Sequence, residues 1–261
     1  MGMIDSGTTL TLVVPVYNEQ ARVTNSVWQL VDYIKTWPHG SRLIFVDDGS
    51  DDSTPKKIDE ILHEQDFSGA TLERLDHLGK GAAVRHGLIH SETTLAAFCD
   101  LDLATPLDEL TRLIMLSAQN NSLIIGSRSI AVAEVVYHES LKRRIAGKAF
   151  NKLVRMLLCP GITDTQCGAK AATTRIWHNL LVTSVENGFA WDVEVVAQAI
   201  HSKIEIIEVP VKWTHDKRSR VNVGRDGMNM VLSVLKIKGR IVTRGLLLRC
   251  KSSSNFGEVT T

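Results

Sequence analysis

Two aspartates one residue apart, Asp100 and Asp102, follow a short apolar segment at residues 97–99. In an extended strand, side chains at positions i and i+2 lie on the same side, so these carboxylates can converge where the strand ends. Carboxylate oxygens are ligands that Mg²⁺ and Mn²⁺ prefer, and such ions keep further positions for phosphate oxygens. The pair therefore predicts a divalent-metal site that handles phosphate. The structural alternative is a turn, where Asp is also common.

Three further polar clusters each follow an apolar segment of strand length: residues 15–19, 47–50 and 126–128. In an open parallel sheet, ligands bind outside the carboxyl ends of the strands. A turn explains each cluster alone, but four clusters at one edge of a sheet indicate a binding site. Residues 79–81, Gly-Lys-Gly, precede a predicted helix and can bring backbone N–H groups and the Lys80 ammonium to a diphosphate. The alternative there is a flexible turn, which glycines favour.

The elements that must position these clusters alternate along the first half of the chain. Apolar runs predict strands, and apolar residues three or four apart predict helices. The predicted strands are residues 10–16, 43–46, 70–75, 94–99 and 122–126, and the predicted helices are residues 20–36, 54–63, 82–90 and 107–118. Such alternation predicts an α/β fold with a mostly parallel central sheet and helices on both faces.

The second half of the chain has a less regular pattern. It contains predicted helices at residues 143–158, 174–182 and 191–202, extended segments at 162–172, 204–209 and 211–213, and a polar basic loop at 214–226. We predict a catalytic domain over residues 1–227, basic amphipathic helices over residues 228–250, and a disordered Ser-rich tail over residues 251–261.

The 261-residue chain has a net charge of +1, but its charge is unevenly spread. Residues 212–251 contain eleven Lys or Arg and two Asp. A basic segment on an otherwise acidic protein indicates an anionic partner, either phosphate groups or a membrane surface. Within residues 228–248, apolar residues alternate with Lys and Arg without an acid, which is typical of a helix in a membrane interface. The alternative is a core-packing or dimerising helix with a basic outer face.

The remaining composition narrows the class of protein. The four cysteines have no metal-ligand spacing and indicate reduced thiols of a cytosolic protein. The first nine residues lack the apolar core of a signal peptide, and no apolar run reaches 18 residues, so we expect no membrane-spanning helix. We expect no nucleic-acid partner, and the sequence leaves open a homo-oligomer or a separate membrane partner protein.

Several of these motifs together resemble the signatures of family 2 glycosyltransferases, which have the GT-A fold. They are residues 14–19 (VPVYNE), 46–50 (VDDGS), 79–81 (GKG) and 100–102 (DLD). Residues 164–170 (DTQCGAK) and 190–194 (AWDVE) are similar to the dolichyl-phosphate β-glucosyltransferase branch, with the polyprenyl-phosphate mannose synthases next. The resemblance covers roughly residues 10–238. Ala169 stands where that branch usually has an aromatic residue, and the transmembrane helices that end several relatives have no counterpart here.

The resemblance implies a metal-dependent, inverting hexosyltransferase with a nucleotide-sugar donor. Its donor-side residues map onto the polar clusters described above. Pro15, Tyr17 and Glu19 line the base and ribose pocket, Asp47 contacts the base or ribose, Asp48 belongs to the same group, Lys80 approaches the donor phosphates, and Asp100 and Asp102 hold Mg²⁺ or Mn²⁺. In such a reaction a metal stabilises the departing diphosphate, and Asp102 is the metal ligand that we count as catalytic.

The resemblance also implies a polyprenyl or dolichyl phosphate acceptor, which is already ionised at pH 7 and needs cations more than a base. Arginine suits planar, multidentate contacts with phosphate. The candidates are Arg128, which we also count as catalytic, and Arg143, Arg144, Arg218 and Arg220. For each of them the alternative is an ordinary surface charge. Asp164 and Asp192 are acceptor-side candidates, and Asp192 is the third residue that we count as catalytic, although it can instead cap a helix.

The favoured function is transfer of a hexose, glucose first, from UDP-glucose to polyprenyl phosphate, with GDP-mannose as second donor. We expect a peripheral enzyme on the cytoplasmic face of a membrane. One rival is the same fold acting on a soluble or polysaccharide acceptor, for which Asp192 would be an obligatory base. The other is a non-catalytic nucleotide-sugar-binding protein.

Overall fold

The computed structural model describes residues 7–130, 135–136, 141–214 and 225–254. Within these ranges the strands are β1 Leu10–Val16, β2 Arg42–Asp47, β3 Ala70–Arg74, β4 Leu95–Cys99, β5 Leu123–Ser127, β6 Val135–Val136, β7 Ala169–Thr173, β8 Ile206–Pro210 and β9 Trp213–Thr214. The helices are α1 Val23–Lys35, α2 Thr54–Gln65, α3 Lys80–Ile89, α4 Leu107–Asn120, α5 Leu141–Leu157, α6 Thr174–Leu181, α7 Trp191–His201 and α8 Arg225–Ser254.

The central sheet has the strand order β3-β2-β1-β4-β7-β5-β8. Its neighbours are parallel except at β7, which runs antiparallel between β4 and β5. The predicted mostly parallel α/β sheet is therefore confirmed. The order reverses between β1 and β4, because β2 and β3 extend the sheet to one side and β4 to the other. Ligands of open α/β sheets bind at such a switch point.

Helices cover both faces of the sheet, as predicted. Consecutive residues of β1 show this, because Val13 and Val14 point to opposite faces and both are fully buried. Val14 packs in a cluster with α1, α2 and α4, and Val13 packs in a second cluster with α3, α6 and α7. Burial on both faces explains why the strands read as continuous apolar runs rather than alternating ones.

The prediction of an extended segment over residues 162–172 is wrong for its first half, since β7 begins only at Ala169. The segment before β7 turns because one carboxylate takes its backbone donors. Glu208 accepts hydrogen bonds from the N–H of Thr163 at 2.8 Å and of Asp164 at 2.9 Å. Those donors are therefore not available to a strand ladder.

The C-terminal basic segment forms one helix, α8, which packs against α5 and α7. Val234 and Ile237 are buried in the core cluster that contains α7, and Arg240 Nη2 lies 3.1 Å from Glu194 Oε1. The helix continues to Ser254, four residues into the segment for which the sequence predicts a disordered tail. Once a helix is nucleated, each added residue contributes one backbone hydrogen bond, which favours continuation. Residues 255–261 lie outside the described ranges.

The outward face of α8 has a different character from its buried face. Met228, Leu232, Leu235 and Val242 are all about half exposed or more, and their spacing places them on one side of the helix. Among the helices that the structure describes, none combines the length and apolarity needed to cross a bilayer.

Candidate active site

The acidic pair lies directly after β4, at the switch point of the sheet. Lys80 is the first residue of α3, and its Nζ lies 2.6 Å from Asp100 Oδ1. Burial lowers the pKa of the Lys80 ammonium, but the carboxylates of Asp100 and Asp192 raise it by more, so its pKa lies above its usual range. The structure therefore brings the predicted phosphate-binding lysine and the predicted metal ligands together, and keeps the lysine charged.

The second carboxylate of the pair, Asp102, has neighbours that raise its pKa and neighbours that lower it. Burial and the nearby charge of Asp100 raise the pKa of Asp102, and the N–H of Ala104, Arg22 and Lys80 partly offset this rise. Ala104 N–H donates to Asp102 Oδ1 at 3.1 Å, and Arg22 Nη1 lies 3.8 Å from Oδ2. A carboxylate whose pKa is raised by a neighbouring carboxylate is stabilised in its charged form by a cation placed between the two. Their oxygens therefore suit a hard divalent ion.

Gly168 provides the space that Asp100 occupies. A Cβ at Gly168 would lie 1.8 Å from Asp100 Oδ2 and 2.5 Å from its Cγ, which no real side chain tolerates. The antiparallel pairing of β4 with β7 causes this proximity, because it sets Cys99 opposite Ala169. The glycine of the 164–170 motif is thus part of the acidic site. Sequence reasoning assigned it no role, although the motif pointed to this segment.

The residues expected to line a base and ribose pocket lie at the ends of β1 and β2. The Tyr17 ring stacks on His77 with centroids 4.3 Å apart and an interplanar angle of 20°. Glu19 Oε2 lies 2.5 Å from Arg22 Nε, and Asp47 accepts from the backbone N–H of Ser50 at 3.2 Å. Pro15 pairs with Val46 within the sheet beneath this surface. The donor-side residues therefore converge, and His77 joins them without having been predicted.

Asp48 does not face this pocket with a free carboxylate. It is buried, and its oxygens accept from the backbone N–H groups of Leu78 at 2.8 Å and Gly79 at 2.9 Å. Its Oδ2 also lies 2.8 Å from His77 Nδ1. Asp48 therefore holds the loop before α3 that leads to Lys80, and a donor contact by Asp48 stays a prediction.

Arg128 is fixed at the carboxyl end of β5 by a two-point ion pair. Its Nε and Nη2 lie 2.7 Å and 2.9 Å from the two oxygens of Asp164, and its guanidinium lies 5.3 Å from the Trp213 ring centroid. Burial raises the pKa of Asp164, but the charge and hydrogen bonds of Arg128 outweigh it and lower that pKa to about 2. Asp164 is fully buried and orients the Arg128 guanidinium, and an acceptor contact by Asp164 stays a prediction.

Asp192 lies in the first turn of α7 but does not cap it, because the residue before the helix is Ala190. Its Oδ1 lies 2.5 Å from Nζ of Lys170, a fully buried lysine that also donates to the carbonyl of Cys167 at 2.7 Å. Sequence reasoning missed Lys170. The available signal was a single charge within the otherwise apolar segment 169–172.

The side chains of the remaining predicted arginines are not among those that the structure describes. Arg143 and Arg144 are in the first turn of α5, and their side chains are not among those described. Arg218 and Arg220 lie outside the described residues. A polar cavity of about 410 Å³ opens beside Asp102, with Arg22, a second residue that sequence reasoning missed, on its wall.

A site at the switch point of a sheet that combines an acidic pair, a charged lysine and an ion-paired arginine is typical of enzymes that bind phosphate-bearing substrates. Residues 11–179 match the family model described as glycosyl transferase family 2. The chain belongs to this family and is a glycosyltransferase.

Comparison with individual proteins agrees with this assignment. The chain is 31% identical over 242 residues to a dolichyl-phosphate beta-glucosyltransferase of Dictyostelium discoideum, covering 88% of this chain and 74% of the relative. It is 30% identical over 251 residues to the Saccharomyces cerevisiae protein of that name, with the same coverage, 88% and 74%.

A solved structure shares the fold. Glucosyl-3-phosphoglycerate synthase from Mycobacterium tuberculosis, in complex with Mn²⁺, UDP-glucose and glycerol 3-phosphate, superposes with a TM-score of 0.62 at 19% identity, over 90% of this chain and 81% of that one. The predicted GT-A fold is confirmed.

Proposed function

We propose that this glycosyltransferase moves glucose from UDP-glucose to a polyprenyl or dolichyl phosphate, with inversion at C1. The observation that carries the proposal is the acidic pair Asp100 and Asp102 held against the Lys80 ammonium at the end of β4. The relatives named as dolichyl-phosphate glucosyltransferases support the choice of donor sugar and acceptor.

The donor side of the site is built for a diphosphate. Asp100 and Asp102 would hold Mg²⁺ or Mn²⁺, which stabilises the negative charge that develops on a leaving nucleoside diphosphate. Lys80 adds a fixed positive charge beside them, and Gly168 leaves room for Asp100 to adopt its position. Tyr17 offers an aromatic face at the expected base pocket.

The acceptor side needs a cation of fixed geometry. Asp164 orients the Arg128 guanidinium, which can bind an acceptor phosphate and leave one oxygen free to attack. A new bond forms between that oxygen and C1 while the bond from C1 to the diphosphate breaks, and the electron pair leaves with the nucleotide. Attack opposite the leaving group gives a β-linked product from an α-linked donor.

The state of Asp192 favours a phosphate acceptor over a sugar hydroxyl. A hydroxyl acceptor must lose a proton, and its base must be free to accept it. Asp192 is instead committed to the buried ammonium of Lys170. A phosphate acceptor is already ionised, so the reaction does not need that base.

A soluble phosphate-bearing acceptor is the second candidate. The solved structure with glycerol 3-phosphate has the same fold, and the Arg128 site is compatible with any phosphate monoester. The lipid acceptor is favoured because the outward face of α8 combines Leu232 and Leu235 with the exposed Lys236 and Lys238. We propose that this face lies on the cytoplasmic surface of an anionic membrane, to which its charge is complementary.

Purified protein incubated with Mg²⁺, labelled UDP-glucose or GDP-mannose and a short polyprenyl phosphate, then extracted into organic solvent, tests the proposal. We expect label from UDP-glucose in the lipid phase. Asp102→Asn should reduce the rate by about 10²-fold or more, because the neutral amide of asparagine cannot replace a charged carboxylate as a metal ligand. If no label enters the lipid phase with either donor, the lipid acceptor is excluded. If label is transferred to glycerol 3-phosphate, the soluble phosphate-bearing acceptor is favoured.

A further inference from the structure

We propose that Glu73, His86 and His90 form a binding site for a transition-metal ion, with Zn²⁺ as the best match. Glu73 lies on the edge strand β3, and His86 and His90 lie on and just after α3. Histidines four residues apart on a helix share one face. β3 is three strand spacings from β4, about 14 Å, so this cluster is separate from the acidic pair.

The three side chains already converge. One ligand atom from each residue lies within 4.8 Å of the others. His86 Nε2 lies 2.5 Å from Glu73 Oε2, and the rings of His86 and His90 have centroids 4.5 Å apart. Ligand atoms on a tetrahedral zinc ion are about 3.3 Å apart, since each bond is about 2.0 Å long. Small side-chain rotations would therefore admit the ion.

The hydrogen bonding of His90 independently points to a ligand. Its Nδ1 lies 2.8 Å from the carbonyl oxygen of His86. A carbonyl oxygen only accepts, so Nδ1 carries a proton, and in the neutral ring Nε2 then keeps the lone pair that a metal would bind. Metal-binding histidines characteristically donate their second ring nitrogen to a carbonyl or carboxylate in this way.

The chemistry of the donor set selects the ion. Two imidazole nitrogens and one carboxylate suit Zn²⁺, whereas Mg²⁺ prefers oxygen ligands alone. His90 is exposed, so water can complete the coordination. A bound ion would cross-link the edge strand β3 to α3. Its role would be structural, because none of the three ligands belongs to the proposed transfer site.

Calorimetric titration of Zn²⁺ into the full-length protein, with excess Mg²⁺ to occupy the acidic pair, tests this site. We expect one Zn²⁺ site in the parent protein. His86→Gln and His90→Gln should each weaken it about tenfold or more. His63→Gln, which changes an exposed histidine in the last turn of α2, is the matched control and should bind as the parent does. Equal Zn²⁺ affinity in the parent and in a protein that carries both His86→Gln and His90→Gln would overturn the proposal.

Two further measurements do not depend on the variants. Zn²⁺ should raise the unfolding temperature, since it binds the folded state, and Co²⁺ should broaden the NMR signals of the His86 and His90 rings but not of His63. Broadening of His63 alone, or of no histidine, would contradict the assignment. The proposed transfer activity is unaffected by either outcome.

Discussion

The absence of a side chain at Gly168 is important to the acidic site, because Asp100 occupies the space that a Cβ would fill. Gly168→Ala would place a methyl group 1.8 Å from Asp100 Oδ2, so Asp100 must move. A displacement of about 1 Å at a reacting centre can cost about 10²-fold in rate, and we expect a loss of that size together with weaker Mn²⁺ binding. Turnover and electron paramagnetic resonance titration of Mn²⁺ measure the two effects.

The nearby Gly188 is a suitable control for that substitution. A Cβ there meets only Glu186 Oε1 at 3.6 Å, an ordinary contact. Gly188→Ala should therefore retain parental activity and Mn²⁺ affinity. Parental behaviour of Gly168→Ala would show that Asp100 does not need its observed position.

Asp192 provides a test that separates the acceptor classes at the scale of one residue. If Asp192 were a base, Asp192→Asn would cost about 10²–10⁴-fold in kcat. We expect less than about tenfold per folded molecule, because an ionised phosphate needs no base. The variant should also be less stable by about 3 kcal/mol, since Lys170 then lacks a charged partner. Complete loss of turnover in folded protein would instead favour a hydroxyl acceptor.

Among the elements, α8 reconciles two interpretations that the sequence left open. Its Val234 and Ile237 face packs on the core, as in the alternative of an ordinary packed helix. Its Leu232 and Leu235 face remains outward, as the membrane interpretation requires. One amphipathic pattern cannot distinguish these cases, because a helix with apolar residues on two sides has two faces to bury.

The outward face of α8 can be tested without truncation, which would also remove core residues. Leu232→Glu with Leu235→Glu should reduce flotation with anionic vesicles about tenfold or more, because burying each leucine contributes about 1.5–3 kcal/mol. Ile89→Glu, at another exposed apolar position, is the control and should float as the parent does. Unchanged flotation of the double variant would exclude this face as the membrane contact.

The sequence predicted the elements best where local pattern and tertiary role agree. Strands β1, β2, β4 and β5 follow from apolar runs that are buried on both faces, the helices between them follow from apolar residues three or four apart, and the bounds differ by a few residues. The segment before β7 could not be predicted, because Glu208, which lies 44 positions after Asp164 and 45 after Thr163, takes its backbone donors. The carboxylates were found, but their partners Arg22 and Lys170 were not, since ion pairs across the fold leave no spacing in the sequence.

Across the whole molecule, the Arg128–Asp164 pair links acid stability to the site. The pKa of Asp164 is about 2, below the value near 3.9 of an unfolded aspartate. A lowered pKa in the folded state adds stability above about pH 4, and this contribution is lost as the pH falls towards 2. Over this pH window, the free energy of unfolding of Asp164→Asn should therefore fall by about 2 kcal/mol less than that of the parent protein.

Urea denaturation at a series of pH values from 5 downwards measures that difference. Asp66→Asn changes an exposed residue with left-handed backbone, which Asn tolerates, and serves as control. The control should keep the parental pH dependence. An Asp164→Asn curve parallel to the parental one would mean that the pair contributes nothing to acid stability.

The hydrogen bonds of Asp48 to the His77–Gly79 loop affect how the preference for a nucleotide donor can change. The loop presents an imidazole beside the aromatic ring of Tyr17 and, one residue past its end, delivers the ammonium that meets the acidic pair. Under the proposed function, the side chains expected to contact the nucleobase and the lysine expected to contact its pyrophosphate thus depend on one short loop. If the preferred donor base changed from uracil to guanine through changes in this loop, turnover would fall at the same time. We therefore expect such a change of donor to replace the whole loop together with Asp48.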